Sequence, residues 1–423
     1  MPNRASINVK TQVGVESTAG TAVAANKVLQ AFDFKTGIKP AITMIGASGR
    51  KYDSSQEENK EWMAGTLTGS MDFNHLPYLL SSAWGIISPA AHGASTTAKD
   101  WIGTPPVTGS VTPQTYTFEQ GETATRAHKF AYGLVTKFGY QFTRDTTSVT
   151  GDLIGQPISD GITMTGSPTL VALAPIASKY WNVYLDATSA GLGVTQFPNT
   201  LMFSYEMGNI YLPAWFVNRA ALGFTSHVDG DPTTVAKLLV MADAQGMSLL
   251  SNLQLGTTAF LRAEALGPII DNLQTLTFGG GVTGGNFTLS YKGQTTANIA
   301  YSAALTSATV NTAFQLLSTV GANCTVTGSA GGPYIFTFSG TLASDMSAVT
   351  ANNVSLTGGT PTMTFVAQAN NLFRHDMAVK VKNVADFADS GGVYAIEWEL
   401  GIVEDGGWGK AQTATVTNLI TAL

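Results

Sequence analysis

The chain of 423 residues is poor in several things at once, and each shortage removes a class of function. It has one cysteine, Cys324, so an intrachain disulfide framework is excluded and a buried, inert thiol is expected. Charged residues make up only 12% of it, about half the usual share, and such a surface is expected to be covered by neighbours. A net charge of -6 argues against a protein that grips nucleic acid by its phosphates, which takes clustered Lys and Arg; it is compatible with one past which nucleic acid slides. No run approaches the eighteen or so apolar residues of a membrane span, and Met1-Pro2-Asn3-Arg4-Ala5-Ser6-Ile7-Asn8 has no apolar leader core, so assembly in the cytoplasm with no membrane partner is expected.

Catalytic constellations are missing too. His75, His92, His128, His227 and His375 are scattered, with no His-Glu-x-x-His pair. There is no Gly-x-Ser-x-Gly elbow, and Gly409-Lys410 runs into Ala411 without the upstream glycine of a phosphate loop. Gly279-Gly280-Gly281-Val282-Thr283-Gly284 fits Gly-x-Gly-x-x-Gly but leads into strand-like 286–291, so no helix N-terminus awaits a pyrophosphate. Asp229-Gly230-Asp231 lacks the remaining ligands of a calcium loop. Glu397 and Glu399 alternate with Ile396, Trp398 and Leu400, as on a strand with an exposed or lumen-facing acidic side. No enzyme, cofactor or metal is expected.

What is present is strand patterning. Residues 130–154 read as a long hairpin: Phe130, Tyr132, Leu134, Phe138, Tyr140 and Phe142 alternate with a slim or polar face that includes Gly133, Lys137, Gly139 and Gln141; Arg144 to Thr147 turns the chain; and Val149, Gly151 and Leu153 resume the alternation. Residues 61–73 form a second strand, with Met63, Leu67, Met71 and Phe73 on one side and Trp62, Thr66, Thr68, Ser70 and Asp72 on the other. Residues 28–45 suggest a strand pair or bulged edge strand, and 74–84 a short helix. The segment 46–60 reads as a polar loop, and Ser48, Gly49, Arg50, Lys51, Tyr52, Asp53, Glu57 and Glu58 in it are candidates for reaching a neighbouring subunit. Residues 86–125 read as a long loop, and 163–172, 180–186 and 200–217 as strands. From Asp231-Pro232 to Gly246, Val235, Leu238, Leu239 and Met241 or Ala242 predict a helix lying on a sheet.

Composition divides the chain. Residues 272–371 hold two charged residues, Lys292 and Asp345, against forty-eight elsewhere. This predicts an inserted, β-rich module with one helix near 307–320, set between a first segment, 1–271, and a C-terminal segment, 372–423, of one main domain.

Gly14-Val15-Glu16-Ser17-Thr18-Ala19-Gly20-Thr21-Ala22-Val23, then Gly65-Thr66-Leu67-Thr68-Gly69-Ser70-Met71-Asp72-Phe73 before a Leu-rich helix, then the hairpin, and finally Asp389-Ser390-Gly391-Gly392-Val393-Tyr394 through Glu397-Trp398-Glu399-Leu400 follow one another in an order that resembles the major tail tube proteins of long, non-contractile-tailed bacteriophages. The likeness covers about 1–85, 126–270 and 372–423. The insert departs from it, and its Gly285-Asn286-Phe287-Thr288-Leu289-Ser290-Tyr291 and Gly332-Pro333-Tyr334 resemble modules inserted in phage virion proteins and bacterial surface proteins.

The resemblance implies a mainly β fold, a tail-tube-type sandwich or barrel with a flanking helix, forming hexameric rings that stack into a tube in the virion tail. Tail tip, terminator and tape measure proteins would be its partners, DNA would pass through without specific binding, and the insert would project outward, a candidate for contact with the host surface or a glycan. Four strands from each of six subunits, at ~4.8 Å spacing and a tilt near 45°, enclose a barrel roughly 50 Å across, wide enough for a duplex. Trp62, Thr66, Thr68 and Ser70, or Lys137, Gly139 and Gln141, are the candidate barrel positions. The competing expectation is a capsid decoration or surface adhesin-type binding protein.

Overall fold

The computed structural model describes residues 8–92, 95, 97–122, 126–217, 221–270, 273–342, 347–367 and 369–423. The opening residues 1–7, the junction at 271–272 and Asp345 lie outside them. The fold is mainly β, with 54% strand and 10% helix, and nineteen strands join in one large sheet beside several small ones. Among the described residues no closed barrel is formed.

The main sheet is built from β1 (Lys10–Val15), β2 (Lys27–Leu29), β3 (Phe32–Gly46), β4 (Asp53–Ser70), helix α1 (Leu76–Ala83), β5 (Lys99–Gly103), β6 (Tyr116–Glu122), β7 (Arg126–Thr143), β8 (Thr147–Gly155), β9 (Trp181–Asp186), β10 (Thr200–Gly208), β11 (Thr233–Met241), helix α2 (Leu249–Leu255) and β12 (Ala259–Ile269). After the insert it resumes with β13 (Asn370–Val384), β14 (Ala388–Ser390), β15 (Val393–Ile402) and β16 (Gln412–Asn418). One ladder runs β3, β4, β8, β7, β10, β11, β15, β13, antiparallel throughout. A second runs β9, β12, β13, β16, β5, so β13 belongs to both.

The strand β7 also serves two layers. Its C-terminal half pairs with β8 and β10, while its N-terminal half pairs with β6 and with Ser159–Ile162. The bend between the halves falls at Tyr132, which has φ +58, a left-handed conformation that a bulky side chain adopts only where its surroundings hold it. Its amide donates to Glu16 Oε1 at 2.9 Å and its hydroxyl lies 3.0 Å from His227 Nδ1. A register shift between Val135 and Lys137 then rephases the strand. The alternation of 130–142 is therefore not continuous, and Gly133 faces Phe118, whose ring lies 2.6 Å from where a Cβ would stand.

The inner face of the first ladder carries Phe138, Tyr140, Phe142, Phe203, Tyr205, Leu238 and Trp398, all buried. It packs against the second: Tyr140 meets Phe373 edge-on at 5.4 Å and Tyr205 meets His375 at 4.6 Å. Within this apolar layer His375 Nδ1 lies 2.9 Å from the Tyr140 hydroxyl and its Nε2 3.1 Å from Gln412 Oε1, which also accepts from Tyr205. Burial pushes His375 down to about 3, so it stands neutral in the core. Helix α1 is internal, with all eight residues buried, and Ser82 Oγ accepts from the Val135 amide.

Several expectations are corrected. The helix expected over 231–246 is strand β11: Thr233, Thr234, Val235 and Val240 are β-branched, Ala236, Leu238 and Val240 also satisfy a period of two, and β10 and β15 supply partners on both sides. The loop expected over 86–125 contains β5 and β6, because β5 pairs with β16, three hundred residues away, and nothing local announces it. The loop over 46–60 narrows to a turn at 47–52, since β3 and β4 run far past the body as a hairpin. Of 163–172, only Thr169–Leu170 is strand.

The insert has its own core. Leu273–Gly279, Asn286–Tyr291, Cys324–Gly328, Tyr334–Phe338 and Thr362–Ala367 are its longer strands, and α3 (Ser307–Gln315), capped by the Thr306 side chain on Thr309 N, packs Val310 and Phe314 inward. Leu276, Phe287, Tyr291, Phe314, Tyr334, Phe336 and Phe338 cluster there, separately from the main core. Cys324 is buried among them, its thiol pushed up to about 12 by desolvation. The insert leaves and rejoins on paired positions, Ile269 opposite Asn370.

Candidate functional site

The outward face of the first ladder is polar and uncovered, and it is built rung by rung from register. Thr66 stands beside Asp152, and Asp152 beside Lys137; Thr68 is followed by Thr150, Gly139, Glu206 and Val235; Ser70 by Ser148, Gln141, Ser204, Lys237 and Glu399. The two candidate sets, Thr66, Thr68 and Ser70 on β4 and Lys137, Gly139 and Gln141 on β7, thus lie on one surface joined by β8. A hollow of about 340 Å³ on it is lined by Gln141, Ser148, Thr150, Ser204, Glu206 and Lys237 among others. Both strands β8 and β10 are expected from the sequence, but their outward residues are not among its candidates, although Ser148, Thr150 and Asp152 do alternate with Val149, Gly151 and Leu153.

The face is rich in hydroxyls and nearly balanced in charge. Lys137 of β7 pairs with Glu206 at 2.9 Å, Lys237 of β11 with Glu397 at 3.1 Å and Lys382 of β13 with Glu399 at 3.4 Å, so these three lysines are each matched by a carboxylate. The edge strand β3 adds Asp33 and Lys35, one of each sign, beside Thr68 and Thr66. Gly139 holds two strands close, since a Cβ there would lie 3.0 Å from Tyr205 O. Trp62 shares the side of β4 that Thr66 occupies but is covered, its ring 5.7 Å from that of Trp215, over which Lys60 sits at 5.0 Å.

Both lateral edges of this ladder are open among the described residues. The only strand pairing of β3 is with β4, and the last residues of β13, from Lys380 to Val384, pair only with β15. Beyond Met63, the last β4 residue paired to β8, the β3–β4 hairpin continues for about ten residues, ~33 Å of strand, held at its base by the Glu61 amide on Leu222 O and by Trp62 against Trp215. This arm is exposed along its length and bears Ile38, Ile42, Met44, Ile45 and Tyr52, the last 84% exposed. Of the candidate loop residues, Ser48, Gly49, Arg50, Lys51 and Tyr52 form its tip, whereas Asp53, Glu57 and Glu58 lie on strand β4. Burial, and after it like-charged Glu58, raises the pKa of Glu61 at the base.

Among the described residues no group of three or more His, Cys, Asp or Glu could hold a metal ion, and no helix is long and apolar enough to cross a membrane. The buried Asp72–His75 contact, 2.7 Å, is structural: Asp72 also accepts from the Asn74 and Ala174 amides, and His75 Nε2 accepts from the Gln30 amide. No protein-family model and no curated protein matches the chain.

Proposed function

We propose that the chain is the building block of a long, non-contractile phage tail tube: copies join edge to edge into rings, six to a ring as in the family the sequence resembles, and the rings stack around a lumen that conducts DNA. The observation that carries this is the coexistence, on one molecule, of a polar uncovered sheet face, an open strand edge on each side of it, and a projecting arm studded with exposed apolar residues. An isolated protein has reason to hide all three, because unpaired edges and apolar arms invite association; a self-assembling one uses them.

The chemistry of the face supports its role as the lumen wall. A lysine already paired to a carboxylate offers phosphates little gain from counterion release, and a hydroxyl surface lets a duplex slide. The back-to-back packing of the two ladders supports the finer reading of a tail-tube-type sandwich whose closure into a barrel is completed by neighbouring copies. The separate core of the insert supports its projection to the outside, with tail tip, terminator and tape measure proteins as the other contacts of the tube. Electron microscopy of the purified protein tests the reading: tubes or six-fold rings support it, and a strictly monomeric species at high concentration that forms no tubes even on addition of tail tips overturns it.

A further inference from the structure

The β14–β15 hairpin, with Phe387 just before β14 and Tyr394 on β15, carries a second exposed apolar feature. Phe387 and Tyr394 stack in the open, centroids 5.1 Å apart and planes 11° from parallel, 47% and 62% exposed. Asp386 and Asp389 flank them, and no Lys or Arg occurs from Asn383 to Gly409. Neither aspartate has an ion-pair partner among the described residues; Asp389 Oδ1 accepts only from the Gly392 amide of its own turn. A stacked aromatic pair left in water has unrealised burial to gain, and two bare carboxylates beside it select a basic partner.

The arm tip has the complementary chemistry. Arg50 and Lys51 are exposed and without ion-pair partners among the described residues, and Tyr52, Met44 and Ile45 are exposed next to them. The two features lie at opposite ends of the sheet. From the row Ser70, Ser148, Gln141, Ser204, Lys237, Glu399, the arm extends along β4 toward Asp53, while β15 reaches Ala395, opposite Met241, and then Tyr394 in the other direction.

We infer that the arm tip of one copy docks on the Phe387–Tyr394 turn of the next, Arg50 and Lys51 against Asp386 and Asp389, with Tyr52 covering the stacked rings. The contact joins unlike ends of identical chains, so repeating it along the strand direction gives an open stack and not a closed dimer. It rests on the self-assembly reading above and names the axial partner of the arm.

Charge reversal in the full-length protein tests it. Arg50→Asp with Lys51→Asp, and separately Asp386→Lys with Asp389→Lys, are each expected to cut sedimentable tubes at least tenfold while leaving thermal midpoints unchanged, because all four side chains are exposed. Placing the four changes in one chain restores stacking. As a second measurement, Tyr52→Cys with Tyr394→Cys yields a ladder of disulfide-linked multimers after oxidation, while each single variant yields none. Tubes unaffected by either reversal overturn the contact, as does failure of the combined variant to recover, or no cross-linking in assembled tubes. Rings that persist unstacked in the single reversals uphold both readings, whereas a wild-type chain that never assembles overturns the tube reading and this contact with it.

Discussion

The Tyr132 amide donates to Glu16 Oε1 across 2.9 Å, at the point where β7 bends from one layer into the other. Glu16 is buried and accepts three more hydrogen bonds, from the Thr117 hydroxyl on Oε1 and from the Gly20 amide and Thr115 hydroxyl on Oε2. A carboxylate suits this site because it only accepts. Glu16→Gln sets an amide N–H₂ against two donors, and a loss of about 2–3 kcal/mol is expected. Thermal unfolding reads it; an unchanged midpoint would mean the bend holds without the carboxylate.

His375 makes the core sensitive to acid. Its pKa is about 3 when folded against an ordinary 6.5, so the neutral form is the folded one. Above pH 6.5 the group contributes no pH dependence; stability falls as pH drops from there toward about 3, below which this contribution levels off. Denaturation midpoints between pH 7 and 4 should fall less steeply in His375→Gln than in the parent, even though the variant starts lower. Equal slopes would contradict the burial of a neutral imidazole.

The lumen assignment can be read by thiol labelling. Cys324 is buried with its thiol raised to about 12, so the parent protein is expected to be silent. Thr150→Cys and Ser204→Cys should react with a bulky maleimide before assembly and be protected in finished tubes, while a cysteine on the insert stays reactive throughout. Equal labelling of all positions in tubes would place the polar face on the outside.

Excision of the insert is the fourth expectation. Because Ile269 and Asn370 are already register partners, replacing 270–369 by a two-residue Asn-Gly turn closes an ordinary hairpin. Tubes of normal appearance should form from the shortened chain. An unfolded product would mean that the main domain leans on the insert.

The parts of the fold legible in the sequence are those whose signal is local. The hairpin of β7 and β8, the outward residues of β4 and helix α1 follow from alternation, turn chemistry and spacing that neighbouring residues supply. What escaped depends on distant partners. Residues 233–241 fit a helical period and a period of two equally well, and the vacancy between β10 and β15 decides. The bend at Tyr132 needs Glu16, more than a hundred residues away. The arm reads as a loop in the sequence because Arg50, Lys51, Asp53, Glu57, Glu58 and Lys60 look like solvent-facing charge, and a strand pair exposed on both faces has the same composition. The two candidate sets stand as alternatives in the sequence because β8, which unites them, pairs visibly with only one.

The rung between Ile269 and Asn370 bears on the chain's history as much as on its shape. A hundred residues enter and leave through a single pair of neighbours in a ladder, so acquiring or discarding them leaves every other pairing intact. Such a doorway allows the passenger to be exchanged in one genetic event while the carrier's sequence stays as it was.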